Sequence, residues 1–206
     1  MLKHIRPALV MMALMTVLTG LVYPFAVTGI AQAVFPRQAN GSLIERNGKT
    51  IGSELIGQNF ASDLYFHGRP SATVGPDPAD PAKTAPSPYN AASSAGSNAG
   101  PTAKSLIGRV KADAAAYREA NGQAASVPAD AVTTSASGLD PHISPANAQA
   151  QAARVARARN LPEPRVRYLV EAATESRSFG FLGEPRVNVL RLNLALDREQ
   201  SQIAGR

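Results

Sequence analysis

Cysteine is absent from the chain, which rules out disulfides, thiolate metal sites and a cysteine nucleophile. Tryptophan is also absent, and Phe 6 and Tyr 5 leave few aromatic side chains for base-stacking platforms or large ligand pockets. Charge is missing where it matters most: from Pro7 to Pro36 there is no Asp, Glu, Lys or Arg. The remaining composition is average, with 44% hydrophobic residues in 206, enough for one core and one anchoring segment but not for a second large domain.

The formal net charge of +6 raises the question of a nucleic-acid partner. Arg154, Arg157, Arg159, Arg165 and Arg167 are the one cluster of basic residues. They alternate with Ala and Val at helical spacing and no aromatics interleave, so they read as the solvated faces of two helices rather than a phosphate-binding or acidic-lipid surface. No nucleic-acid partner is expected.

Leu9 to Val34 exceeds the ~20 apolar residues that span a bilayer as a helix. Pro24, with Gly20 and Gly29 nearby, should bend this helix or let it pack closely on others. A cleaved secretory signal is the rival reading: Lys3 and Arg6 form a basic start and Ala31-Gln32-Ala33 resembles a cleavage site. The apolar run continues through Phe25, Val27 and Ile30, beyond the usual ~15-residue signal core, which favours an uncleaved anchor. Residues 1–36 are thus assigned to a membrane anchor, with its span at about 9–34, and residues 37–206 to one soluble domain. Lys3 and Arg6 favour a cytoplasmic N-terminus and an extracytoplasmic domain, against the weaker counterweight of Arg37, Arg46 and Lys49.

The soluble part reads as α+β, a small sheet packed by about three helices. Asn47-Gly48 suits the two positive-φ positions of a type I′ turn, so 42–46 and 49–51 are expected to form a hairpin. Residues 52–74 read as irregular, and the Pro/Gly/Ser-rich stretch 76–101 as a long loop. Leu106, Ile107, Val110, Ala114 and Tyr117 predict a helix over about 103–120, capped by Thr102 and stopped at Asn121-Gly122. A second helix is predicted from Pro145 after Ser144 to Asn160, and a third from Glu163, packed on the sheet through Val166, Leu169, Val170 and Ala173. Leu190, Leu192, Leu194 and Leu196 alternate with Arg191 and Asn193, predicting a half-buried strand over 189–196 that pairs with the early hairpin.

Two stretches invite a chemical reading. Ser137, Gly138, Asp140 and His142 bring hydroxyl, carboxylate and imidazole together in one loop, the raw material of a hydrolase. Sequence proximity argues against a working triad, because helix capping and two prolines account for the same residues, and Asp140 with His142 alone is too few ligands for a metal. Ser94, Gly96, Ser97 and Asn98 lie in a small-residue loop before a helix, as phosphate-cradling loops do. The glycine that should precede Lys104 is Ala103, and Pro101 lacks an N–H, so an ordinary turn is expected there.

Four separated motifs carry a family resemblance: Gly52 to Gln58, Tyr65-Phe66-His67-Gly68-Arg69-Pro70-Ser71, Ser137 to Ile143, and Gly183-Glu184-Pro185-Arg186-Val187-Asn188-Val189-Leu190. With the single N-terminal span, they closely resemble the KdpC family, the C subunit of bacterial high-affinity potassium-transporting P-type ATPases. Nearly the whole chain takes part, in the family's order. One departure is Ala95, where the family pattern carries a second glycine. The resemblance implies an accessory subunit in the inner membrane, without catalytic residues of its own. It would work beside a channel-like potassium-translocating subunit and an ATP-hydrolysing subunit, in a complex that has room for a further small membrane subunit. It also implies a catalytic-chaperone role that raises the pump's affinity for ATP. Ser94, Gly96, Ser97, Asn98, Ser137, Gly138, Asp140 and His142 are the candidate contacts for partner or nucleotide. Two other readings stay open at this point: a tethered or secreted hydrolase using Asp140 and His142, and a binding protein released by cleavage at Ala33.

Overall fold

The computed structural model describes residues 2–122 and 127–204, as two compact units that divide between Ser53 and Glu54. The first unit begins with helix α1 (Ile5–Val17), one wide π-type turn (Leu18–Val22) and α2 (Tyr23–Val34), which together form one apolar helix of 30 residues. At ~1.5 Å per residue it is about 45 Å long, more than the ~30 Å of a bilayer's hydrocarbon core. None of its residues is buried within the unit, as a helix made to face lipid or other membrane helices requires. The wide turn sits where Pro24 demands it, because the ring lacks an N–H and would collide with the carbonyl of Gly20 in a regular helix.

A short helix, α3 (Pro36–Ala39), leads into the hairpin of β1 (Leu43–Arg46) and β2 (Lys49–Ser53). Asn47 at φ 53° and Gly48 at φ 73° take the two left-handed positions expected of them, and a bulge at Ile51 shifts the register between Ile44 and Glu45.

The second unit contains the strand pair β3 (Val74–Pro76) and β4 (Thr84–Pro86), then α4 (Lys104–Asn121) and α5 (Ala129–Val132). After these come β5 (His142–Ile143), α6 (Pro145–Arg159), α7 (Glu163–Ala172), β6 (Thr174–Glu175), β7 (Arg186–Asn188) and α8 (Val189–Ala204). The three-stranded antiparallel sheet runs β5-β7-β6, so the fold is α+β. Its core joins Phe66, Ile143, Val155, Val166, Val170, Val187, Leu192 and Leu196, each 0–2% exposed.

Local signals place α6 well: the Ser144 hydroxyl accepts from Asn147 N at 3.1 Å, Pro145 opens the helix, and Asn160 closes it in the left-handed conformation. Helix α7 starts at Glu163 as predicted but packs against α6 and α8 rather than chiefly on the sheet. Three other expectations are corrected. Residues 189–196 are the first half of the helix α8, not a strand. Val189, Leu192 and Leu196, spaced i, i+3 and i+7, face the core, while Leu194 is only half-buried. The stretch 76–101 is not all loop, since it holds β4 and is tied back to Thr73, whose hydroxyl donates to Ser87 O at 2.6 Å. Finally, α4 is capped at Ala103 without a side-chain hydrogen bond, not by Thr102.

Candidate functional site

In the second unit a cleft of about 690 Å³ opens between α4, α6 and the segment 59–72. Its wall is built by amide side chains that act as substitute strands. Gln151 of α6 accepts from His67 N at 2.8 Å and donates to His67 O at 3.1 Å, and Asn193 of α8 does the same for Phe66 at 2.9 and 3.0 Å. An irregular segment cannot satisfy its own buried backbone, so side chains must supply the missing partners. Arg154 completes the attachment, donating to Asp63 O at 2.8 Å and Tyr65 O at 3.1 Å.

Along the cleft runs a polar chain of half-buried and buried residues. Asp130 accepts from the Ser144 backbone and hydroxyl at 2.7 and 2.9 Å and from Asn147 Nδ2 at 3.1 Å. Asn147 Oδ1 in turn accepts from the Tyr117 hydroxyl and from Gln151 Nε2, both at 2.9 Å. Burial, reinforced by the charge of Asp130, pushes the Tyr117 phenol up to about 12. Among the described residues no buried side-chain nitrogen or oxygen lacks a partner, so this network is architectural.

The residues singled out from sequence fall into two groups. The loops 94–98 and 134–138 lie on each other. Ser94 Oγ and Ala95 N both donate to Ser137 O at 3.0 Å, and Thr134 Oγ1 lies 3.2 Å from Ser97 Oγ. A Cβ on Gly96 would lie 2.8 Å from Ala136 O, and one on Gly138, at φ 67°, would lie 2.6 Å from Ala95 O. Both glycines are therefore required by close approach. Asn98 is left-handed at φ 48°, and Ser97 alone of the eight also lines the cleft. A phosphate cradle needs outward-facing N–H groups, yet Ala95 N and the Ser94 hydroxyl are spent on Ser137 O. Two of the donors that such a cradle would use are thus already engaged within the unit.

Asp140 and His142 form the second group. Asp140 Oδ2 accepts from Arg69 Nη1 at 3.0 Å and Oδ1 accepts from His142 N at 2.9 Å, with His142 Nδ1 at 3.4 Å. Burial by itself would raise the Asp140 carboxyl. The side-chain and backbone hydrogen bonds of His142, with the hydrogen bond and charge of Arg69, outweigh it and hold the group below the ordinary carboxylate range. The nearby hydroxyls are also engaged: Ser137 Oγ accepts from Leu139 N at 3.1 Å and Ser135 Oγ from Gly138 N at 2.9 Å. The loop is a set of turns locked by Arg69.

Tyr89, Asp130, Asn147 and Gln151 carry no local signal of these roles, and Arg154 and Arg159, expected on solvated faces, turn inward. Both arginines are 5% exposed. Arg159 reaches Leu64 O, Gln200 and Asp197 and stacks 4.7 Å over the Tyr65 ring, while Arg157 and Arg165 do face solvent. Tyr89 wedges its ring where side chains at Gly57 and Gly68 would otherwise sit, and its hydroxyl donates to Arg69 O at 2.7 Å.

An apolar helix long enough to cross a bilayer, followed by an α+β unit, defines a membrane-anchored α+β protein. Residues 5–198 match the family described as KdpC: K+-transporting ATPase, c chain. The chain is 61% identical to the potassium-transporting ATPase KdpC subunit of Bradyrhizobium diazoefficiens, over 96% of this chain and 98% of the relative. It is 58% identical to the subunit of the same name from Methylobacterium nodulans, with both chains fully covered. For Rhodopseudomonas palustris the identity is 59%, over 96% of this chain and 98% of the relative. The chain belongs to the KdpC family.

Proposed function

We propose that this chain is a non-catalytic accessory subunit of an ATP-driven potassium transport complex in the cell inner membrane. Its helix docks among polytopic partners and its folded unit lies outside, over the outer mouth of the potassium pathway. The observation that carries this reading is the family match across residues 5–198, which takes in both the apolar helix and the folded unit. Lys3 and Arg6 before the span support a cytoplasmic N-terminus. The partners are the channel-like potassium-translocating chain and the ATP-hydrolysing chain, together with a further small membrane subunit.

ATP is held by the ATP-hydrolysing chain, and this subunit raises the affinity for it indirectly, by stabilising the assembled state. A ligand site formed only in the assembled state gains apparent affinity from anything that populates that state. The inward-turned donors of the Ser94–Asn98 loop support this indirect route over nucleotide contact. The hydrolase alternative loses its basis, because Asp140 is committed to Arg69 and to the His142 turn.

Purification through a C-terminal tag from mildly solubilised membranes tests the reading. Recovery of a large ATPase and a polytopic chain with potassium-stimulated ATP hydrolysis is expected. Recovery of this chain alone would overturn it.

A further inference from the structure

We propose that the turn Ser178–Leu182 is a preformed anchor that inserts into an apolar pocket on the extracytoplasmic surface of a polytopic partner subunit, a proposal that rests on the accessory-subunit reading. The turn is closed by Ser178 N to Leu182 O and Leu182 N to Ser178 O, both at 2.9 Å, and by Phe181 N to Ser178 O at 3.3 Å. At its tip Phe179 is 88% exposed, Phe181 71% and Leu182 51%. Three large apolar side chains within four residues present on the order of 400 Å² of apolar surface, the scale of a functional patch on a soluble unit.

The hairpin turn at Asn47-Gly48 shows that this tip is not a folding device. Asn47 and Gly48 occupy φ 53° and 73°, and Phe179 and Gly180 occupy almost the same pair, 54° and 81°. Asparagine suits the left-handed region because its short amide bonds locally, whereas a bulky residue there is a true outlier. Phe179 is thus strained in its backbone and, being exposed, gains nothing from the core. A local rule broken without compensation inside the fold points to a role outside it.

The surrounding charges select the kind of partner. Arg177 and Glu184, which flank the turn, pair at 2.5 Å, and Arg186 pairs with Glu175 at 3.0 Å on the two strands that carry it. The two cations are matched by two anions, leaving a neutral rim around an aromatic tip. Insertion into an anionic lipid surface draws on unpaired Lys and Arg beside the apolar residues. A neutral, paired rim around aromatic side chains is the anatomy of a protein interface with a central hot spot. Holding the turn closed beforehand lowers the ordering cost of insertion.

The experiment uses the full-length chain in its native membrane. The double variant F179N/F181S should fold with an unchanged or higher thermal midpoint, because Asn relieves the left-handed strain. It should retain about tenfold less of the ATPase and polytopic chains on the tag. A photoreactive benzoylphenylalanine at position 179 should crosslink to the polytopic chain. Unchanged retention by F179N/F181S, or crosslinking to phospholipid or to a second copy of this chain, overturns the anchor while leaving the accessory role standing if the wild-type chain still recovers the ATPase. Wild-type recovery without any ATPase overturns both.

Discussion

Arg69 Nη1 donates to Asp140 Oδ2 at 3.0 Å across a separation of 71 residues, so two family motifs far apart in sequence are held as one piece of structure. Replacing Asp140 with Asn leaves Arg69 without its carboxylate and weakens the turn at His142 N. Half-burial limits the loss to about 1–3 kcal/mol. Because the folded carboxyl sits below its ordinary value, its stabilisation is fully present above about pH 4 and is lost as pH falls through the folded pKa. Thermal melts should therefore show a gap between wild type and Asp140→Asn that is widest near neutrality and closes in acid.

His142 contributes to the same turn through its ring Nδ1, 3.4 Å from Asp140 Oδ1, and through its backbone N–H, of which an alanine retains the second. His142→Ala should leave the potassium-stimulated ATPase rate of the purified complex within about twofold, where removal of a general base would cost about 10²–10⁴.

Arg154 satisfies two backbone carbonyls and the side chains of Asn121 and Gln151 while 5% exposed. Arg154→Ala strands these acceptors and is expected to cost about 3–5 kcal/mol, read as a lowered denaturation midpoint. Arg154→Lys should recover little, since a point charge cannot reproduce the guanidinium fork.

Gly138→Ala combines a left-handed φ of 67° with a Cβ 2.6 Å from Ala95 O and from the Thr73 methyl. The two loops must separate, at about 2–3 kcal/mol. Gly48→Ala, at an open turn with nothing near its Cβ, bears the φ penalty alone and should cost less. Melting curves of the two variants give the order directly.

Tyr89 and Tyr117 both have phenols pushed up to about 12, by burial first and then by the charges of Asp140 and Asp130 respectively. Both should ionise late in an ultraviolet titration of the five tyrosines. Folded values above the ordinary ~10 mean that their contribution to stability is complete below pH ~10 and is lost as pH rises towards 12. Tyr89→Phe should flatten that alkaline decline.

What the sequence discloses and what it hides follows the range of the forces. Asn47-Gly48, Ser144-Pro145 and Asn160 act on their own backbone, so the hairpin and both ends of α6 could be read locally. Leu190 to Leu196 carry two periods at once, and the strand period misleads because β7 ends at Asn188, immediately before the helix begins. The cleft was illegible for another reason. Gln151 and His67 lie 84 positions apart, and Arg154 and Asp63 are 91 apart, so nothing in either neighbourhood announces the pairing. The arginine cluster mixes both cases: helical spacing identifies its helix, but only the fold decides which arginines turn inward.

The wide turn at Leu18–Val22 inserts one extra residue into the apolar helix, and one residue is worth about 100° of rotation. Side chains in line with one another before Leu18 are therefore out of phase with the row that continues after Val22. A regular rod would offer one continuous face along its length. This helix presents one direction in its first half and another in its second, so neighbours at different depths can each be met by a separate face of the same span.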